Sequence, residues 1–325
     1  MSATPAGYHQ LLALADQQPG QRLWAIEGTG GYGAGLTRFL HARQERVVEL
    51  DRPKRAARRH GAKSDPLDAT RAAREALGRD QLAQPKAAGH RAALQARLTT
   101  RRSAVQAATD AQRQLHALVV AAPDTLRGRL RGLTTRQLVT ACGRLRGLTT
   151  RQLVTACGRL RLRAAWDAET IATAASLRAL AHRTQLLDRE VAEHTQAITT
   201  LVRAWRPDLL TPCGVGPIVA AIVLCAWSHP GRCRTDAAFA MLAGAAPIPA
   251  SSGQTVRVRL NRSGDRQLNQ ALHLIVLTRL RYDPATRAYA QRRRAQGRTN
   301  REIRRCLVRY VARQLYRLLE ATPAL

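Results

Sequence analysis

Acids are scarce in this chain. Only 22 Asp and Glu stand against 53 Lys and Arg, a formal net charge of +31. A polyanionic partner is the simplest reason to tolerate that much self-repulsion. Lysine is nearly absent as well, occurring only at Lys54, Lys63 and Lys86. The positive charge is therefore arginine, whose planar fork matches phosphate oxygens and guanine edges. GC-rich coding accounts for Arg over Lys, but not for basic over acidic residues. Aromatics make up 4% of the chain while Ala and Leu dominate, which favours helices. No run of 18 or more uncharged apolar residues occurs, so no membrane span is expected. The N-terminus shows no basic segment leading into an apolar one, so secretion is not expected either. The six cysteines form neither a CxxC pair nor a Cys/His zinc spacing. That excludes a disulfide framework and predicts reduced thiols in a cytoplasm.

What is present is unevenly spread. Residues 1–50 carry four Arg and four acids and are neutral, whereas residues 206–325 carry twenty Arg and six acids. The length fits two or three domains. RLWAIE at 22–27, the turn GTGGYG, the helical LTRFLHAR and the β-branched RVVEL follow one another. That order is strand, turn, helix, strand, the grammar of an α/β unit with a parallel sheet. A basic loop, DRPKRAARRHGAKSD, leads to the helix PLDATRAAREAL.

Residues 87–205 read as a long Ala/Leu/Arg-rich helical arm. An apolar seam is expected at Leu186, Leu187, Val191, Ala192, Ile198, Leu201 and Val202, interrupted by His194 and Thr195. RLRGLTTRQLVTACG occupies 129–143 and again 144–158, an exact repeat of the kind left by a recent DNA duplication. Fifteen residues advance a helix face by about 60° relative to whole turns, so the extra copy is expected to rotate or buckle the arm unless its glycines bulge it out, and the region is expected to be locally irregular. Beyond 206 come a Gly-x-Gly turn, an apolar helix, a Pro/Ser/Gly loop, the alternating TVRVRL, and three further helices, the last two strongly basic.

Four groups of residues are candidates for chemistry. Glu27 closes a predicted strand, and carboxylates at strand ends of an α/β sheet suit Mg²⁺, which takes oxygen ligands. Asp65 and Asp68, three apart at a helix start, share a face. Asp65-Pro66-Leu67-Asp68 reads equally well as an N-cap, a Pro at N1 and an acid at N3. Gly214-Val215-Gly216-Pro217 resembles a turn that aims backbone N–H groups at a DNA phosphate; an interhelical turn is the plainer alternative. Ser251-Ser252-Gly253 lies in a loop before a basic strand, where Arg257, Arg259 and Arg262 would steady a phosphate in transit. Taken alone, that tripeptide reads as a linker, and no GxSxG elbow or histidine partner is evident. Finally, Arg292, Arg293, Arg294, Arg298, Arg301, Arg304, Arg305 and Arg309 form basic runs and a helical stripe, with Tyr310 and Tyr316 interleaved as possible stacking platforms.

In order, TPAGY, AIEGTGGYGAGLTRFL, VVELDRP and KSDPLDA resemble the N-terminal half of the DEDD-type insertion-sequence transposases, insertion sequence family one-hundred-ten, with its Piv-type DNA invertase relatives. GVGPIVAAIVL, FAMLAGAAPIPASSG and RLNRSGDRQLNQAL resemble their C-terminal domain. The resemblance implies an α/β plus α chain. Residues 1–86 would be a ribonuclease-H-like (RuvC-like) domain, 87–205 a coiled-coil arm, and 206–325 a mainly helical transposase domain with a basic tail. It implies Mg²⁺ on Glu27, Asp65 and Asp68, and Ser252 as a nucleophile that becomes linked to DNA phosphate, with acids supplied by a second protomer. The implied partners are the element's DNA ends, a target DNA, a structured noncoding guide RNA and further copies of the chain in a dimer or tetramer.

The chain departs from the family at three points. The family's first-strand Asp has no counterpart, because Asp16 sits in the helix-like LLALADQQ, so a domain lacking its first strand is expected. The 15-residue repeat is a second departure. Asn261-Arg262 stands where the family usually has Ser-Lys, a change that keeps polarity. Two rival functions follow from the same residues: a nucleic-acid-binding remnant without catalysis, and a junction nuclease that uses the acids but not the serine.

Overall fold

The computed structural model describes residues 2–18, 20–50, 65–80, 82–131, 150–249, 258–259, 261 and 264–321. Helix α1 (Pro5–Asp16) is capped by Thr4, whose hydroxyl accepts from Gly7 N. Strand β1 (Trp24–Glu27) and strand β2 (Val47–Leu50) pair in parallel with Trp24 opposite Val47, and helix α2 (Ala34–His41) crosses between them. The predicted α/β unit is thus present as strand, glycine turn, helix and strand. Ile26, Leu40 and Val47 are buried together against Trp24, Leu36 and Phe39. Glu45 clasps the unit: Arg22 Nε donates to it at 2.9 Å and Trp24 Nε1 at 2.8 Å. These bonds hold its carboxyl down at about 2, against an ordinary 4.5. Asp16 pairs with Arg22 at 2.5 Å. Helix α3 (Asp65–Leu77) packs beside β1.

The chain divides into two compact units, residues 1–93 with 212–214 and 223–325, and residues 94–211 with 215–222. The second unit is built on two long helices, α4 (His90–Ala121) and α7 (Ala168–Trp205), whose contacts run antiparallel. On α7 the residues turned inward fall on a strict heptad: Thr170, Ala174, Leu177, Ala181, Thr184, then Ile198 and Val202 are buried. The expected seam is therefore corrected. Leu186 is 61% exposed, and Thr195, expected to interrupt the seam, continues it. It accepts from Arg101 Nε at 2.8 Å and donates to Val191 O at 2.6 Å, so its polarity is satisfied inside the hairpin.

Helices α5 (Asp124–Arg131) and α6 (Thr150–Gly158) lie between α4 and α7 in the chain. The second copy of the repeat supplies α6. Its Leu153, Val154 and Cys157 are buried with Leu115, Leu177 and Ala181. The first copy contributes Arg129, Leu130 and Arg131 to α5, and the rest of it lies outside the described residues. The described part of the repeat falls between the two long helices in the chain and within neither.

A short 3-10 turn (Pro207–Leu210) precedes α8 (Pro217–Trp227), the apolar helix read from sequence. Helix α9 (Asp236–Leu242), strands β3 (Ile248–Pro249) and β4 (Val258–Arg259), and helices α10 (Arg266–Tyr282), α11 (Pro284–Ala295) and α12 (Asn300–Glu320) follow. β3 and β4 pair antiparallel, which places part of the predicted TVRVRL strand. Among the described residues no helix is long and apolar enough to cross a membrane, and all five described cysteines are unbridged.

Candidate nucleic-acid interface

The last three helices start where their sequences say they should. Asp265 caps α10 by accepting from Gln267 N and Leu268 N. Asp283 caps α11, with Pro284 at its first position. Thr299 and Glu302 form a reciprocal capping box on α12. Gly297, at φ +77°, makes the tight turn between α11 and α12. The result is a basic helical hairpin laid along α10.

The glycine-rich motif before α10 has a structural task that sequence alone did not reveal. The end of α9 leaves carbonyls without intrahelical partners. Asn261 Nδ2 donates to Met241 O at 3.1 Å, Asp265 N to Leu242 O at 2.7 Å, and Asn269 Nδ2 to Ala243 O at 2.8 Å. Gly264 lies so close to Gly244 that a Cβ on it would stand 2.3 Å from Gly244 N. Gly244 itself adopts φ +64°. This knot fixes the segment that runs into β3, and so fixes the root of the β3–β4 hairpin.

Beside that root lies a cleft of about 830 Å³. Arg259 of β4, Arg266 of α10, Arg293 of α11, and Arg298, Arg305 and Arg309 line it, with Glu302 the one acid among the described lining residues. Its wall on α10 carries Asn269, Gln270 and His273, which with Arg266 fall at i, i+3, i+4 and i+7 on one helix face. Burial, and then Arg304, lower the His273 pKa from its usual 6.5, so the ring is neutral at pH 7 and offers one donor and one acceptor.

The carboxylates decide what this charge is for. Residues 206–325 hold six acids, and the fold occupies every one of them. Asp208 binds Arg206; Asp265 and Asp283 cap helices; Glu302 closes the capping box and approaches Arg298. Asp236 takes Arg313 at 2.8 Å and Arg317 at 3.1 Å, and Glu320 accepts from Trp227 Nε1 at 2.7 Å. Arg259, Arg266, Arg293, Arg305 and Arg309 have no carboxylate partner among the described residues. Guanidinium groups converging without counter-charge make an anion site.

The predicted arginines divide. Arg259, Arg293, Arg298 and Arg305 line the cleft. Arg294, bonded through Nε to Asn300 at 2.9 Å, lines a separate hollow of about 240 Å³ with Arg287 and Arg304. Arg292 lies 5.7 Å from the Tyr289 ring centre, and Arg301 is exposed on α12 away from both hollows. The expected stripe of 301, 304, 305 and 309 therefore splits between faces. Tyr316 is not a stacking platform: it is buried and donates to Cys233 O at 2.6 Å. Tyr310 is 55% exposed and meets Tyr289 edge-on. Arg266, Asn269, Gln270 and His273 were not anticipated, although their helical spacing behind the Asp265 cap is readable.

Gly214 sits at φ +85°, and a Cβ there would come 3.0 Å from Ile275 O, so this glycine permits close packing on α10. Gly216 is exposed just ahead of α8. Ser251, Ser252, Arg257 and Arg262 lie outside the described residues; β3 and β4 flank the first three.

Glu27 ends β1 and is exposed. Asp68 lies in the first turns of α3 with Arg71 at 3.6 Å, and the Asp65 side chain lies outside the described residues. Among the described residues, no three His, Cys, Asp or Glu are gathered closely enough for a metal ion. The donors themselves are all carboxylate oxygens on a strand end and the helix packed beside it, which is the chemistry Mg²⁺ takes.

A cleft of this charge beside an acid-depleted bundle has the chemistry of an anion site. Comparison with known proteins narrows the class. A DEDD-type IS110 transposase family model matches residues 1–122, and the model of the Transposase IS116/IS110/IS902 family matches residues 208–291. Over these two stretches the chain is similar to one family of insertion-sequence transposases. It is 34% identical over 114 residues to the insertion element IS110 uncharacterized 43.6 kDa protein of Streptomyces coelicolor, covering 35% of this chain and 28% of that protein. It is 30% identical over 144 residues to the insertion element IS900 uncharacterized 42 kDa protein of Mycobacterium paratuberculosis, covering 43% of this chain and 36% of that one. The matched stretches thus span about a third of each curated relative.

Proposed function

We propose that this chain is the DNA transposase of an insertion sequence, cutting and rejoining strands through Ser252. The observation that carries the reading is the arginine cleft at the root of the hairpin that flanks Ser252, with every nearby acid already engaged. The Ser252 hydroxyl oxygen attacks the scissile phosphorus. A bond forms between serine oxygen and phosphorus, the bond from phosphorus to one sugar oxygen breaks, and that oxygen leaves with a proton as a free hydroxyl. The phosphoserine link conserves the bond energy, so a hydroxyl from another strand reverses the step and completes exchange. Arg257, Arg259 and Arg262 balance the charge that builds on the phosphate oxygens.

Glu27, Asp65 and Asp68 would hold Mg²⁺, which lowers the cost of charge on phosphate oxygens when bound. We read the RuvC-like fold in residues 1–86, the arm in 87–205 and the transposase domain in 206–325. Gly214, Gly216 and the outer arginines, Arg292, Arg294 and Arg301, would grip the nucleic-acid backbone away from the cut. The further partners of this reading are a structured guide RNA and a second protomer that supplies the metal-site acids, all in the cytoplasm.

Ser252→Ala tests the reading. It should abolish cleavage of a duplex carrying the element's ends while binding stays within about twofold. Cleavage that survives removes the serine and points to a junction nuclease built on the acids alone. Binding without cleavage in the unaltered chain, Mg²⁺ supplied, points to a binding-only protein.

A further inference from the structure

We infer that the arginine cleft takes one or two unpaired nucleotides of a DNA strand, with Gln270 and His273 contacting the base edges. The inference rests on the transposase reading for the identity of the strand, but its physical argument is independent. A cavity of about 830 Å³ lies within the range, roughly 300–1,000 Å³, that encloses a small organic ligand. A duplex is a rod whose specific interfaces cover about 1,000–2,500 Å² of protein, and it cannot enter such a space. What fits is a nucleotide removed from its stack.

The lining matches that occupant in two layers. Arginines of β4, α11 and α12 line the cleft and suit the phosphates of a strand. Ala245, Ala246 and Pro247 give a small, apolar surface on which a base can lie. The α10 wall supplies base-edge groups: an amide from Gln270 and the neutral ring of His273, each able to donate and to accept. The Asn269 amide is committed through its nitrogen to Ala243 O. Among the described residues lining the cleft there is no Phe, Tyr or Trp, the platforms that bind single strands regardless of sequence. Contacts to base edges instead give a preference among bases. Strand exchange needs such a place, because the bases flanking the joint must leave one partner before they pair with another.

The full chain tests this with three fluorescein-labelled probes: a mixed-sequence single-stranded DNA 8-mer, a 20-base-pair duplex and the corresponding RNA 8-mer. Binding is read by anisotropy at one fixed salt concentration. Gln270→Ala and Gln270→Ala/His273→Ala should weaken the DNA 8-mer by about tenfold, as loss of a base contact does, and leave the duplex within about twofold. Gln270 is exposed, so the single variant is expected to fold, and an unchanged melting temperature verifies it. Equal losses for 8-mer and duplex, or none for the 8-mer, would overturn the inference. Tighter RNA binding that depends on the same two residues would overturn the DNA assignment. Because the readout is binding, Ser252→Ala should behave as the unaltered chain does. A protein that cuts nothing yet shows the contrast keeps the cleft assignment and loses the transposase one.

Discussion

The two ends of the proposed chemistry are built differently. The arginine cleft is made largely by two helices joined through a tight turn, with Arg293, Arg298, Arg305 and Arg309 within seventeen positions of one another. Capping and helical spacing place them, and both are local rules. The carboxylates are non-local. Glu27 closes β1, while Asp65 and Asp68 arrive on α3 after a second strand and a basic segment. Among the described residues, the packing of α3 on β1 joins the two elements that carry them. A phosphate grip assembled locally withstands change elsewhere in the chain, whereas a metal site assembled across a small sheet depends on all of it.

That contrast breaks most sharply at the acids. Asp68→Asn should lower Mg²⁺-dependent strand cleavage by roughly 10²-fold or more while leaving DNA affinity within about twofold, measured by gel assay and anisotropy. An affinity loss as large as the activity loss would mean that the two ends are not separable.

A smaller effect is expected in the arm, where one sequence occurs twice. Leu153 is buried, so Leu153→Ala should cost about 2–5 kcal/mol, read from denaturant melts. Deleting 144–158 yields the same chain as deleting 129–143, and it leaves one intact RLRGLTTRQLVTACG to form α6. The deletion should therefore cost much less than the single substitution. The opposite order would mean that both copies are structural.

The smallest expected effect is in the N-terminal unit, whose clasp depends on pH. Glu45 has its carboxyl lowered to about 2 from 4.5 by Arg22 and Trp24. The stability from that shift is fully present above the ordinary carboxylate range and is lost as pH falls from about 4.5 toward 2. Trp fluorescence should report this loss, and Glu45→Gln should remove the pH dependence over that interval. A titration that Glu45→Gln leaves unchanged would assign the transition to another group.

Local signals were legible in the sequence and long-range ones were not. The parallel pairing of RLWAIE with RVVEL, the capped α10, α11 and α12, and the basic character of the tail are written in turns, caps and spacing. Thr195 looked like a break in the seam because its partner, Arg101, is 94 positions away. The close approach of Gly214 to Ile275, 61 positions away, was likewise not legible. The cleft itself was half legible. Its arginines were counted, but which of them are neutralised depends on where six acids land, as with Asp236 and Arg313. The family motif around Ser252 was readable in the sequence.

The most direct test of the central claim is the salt dependence of single-stranded DNA binding by the unaltered chain and by Arg305→Ala/Arg309→Ala. If the cleft grips phosphates, the double variant binds more weakly, and its slope of log K against log salt is shallower by about 1.4, roughly 0.7 for each lost contact. An unchanged slope would contradict the account, because it would show that these two arginines face solvent and hold no phosphate.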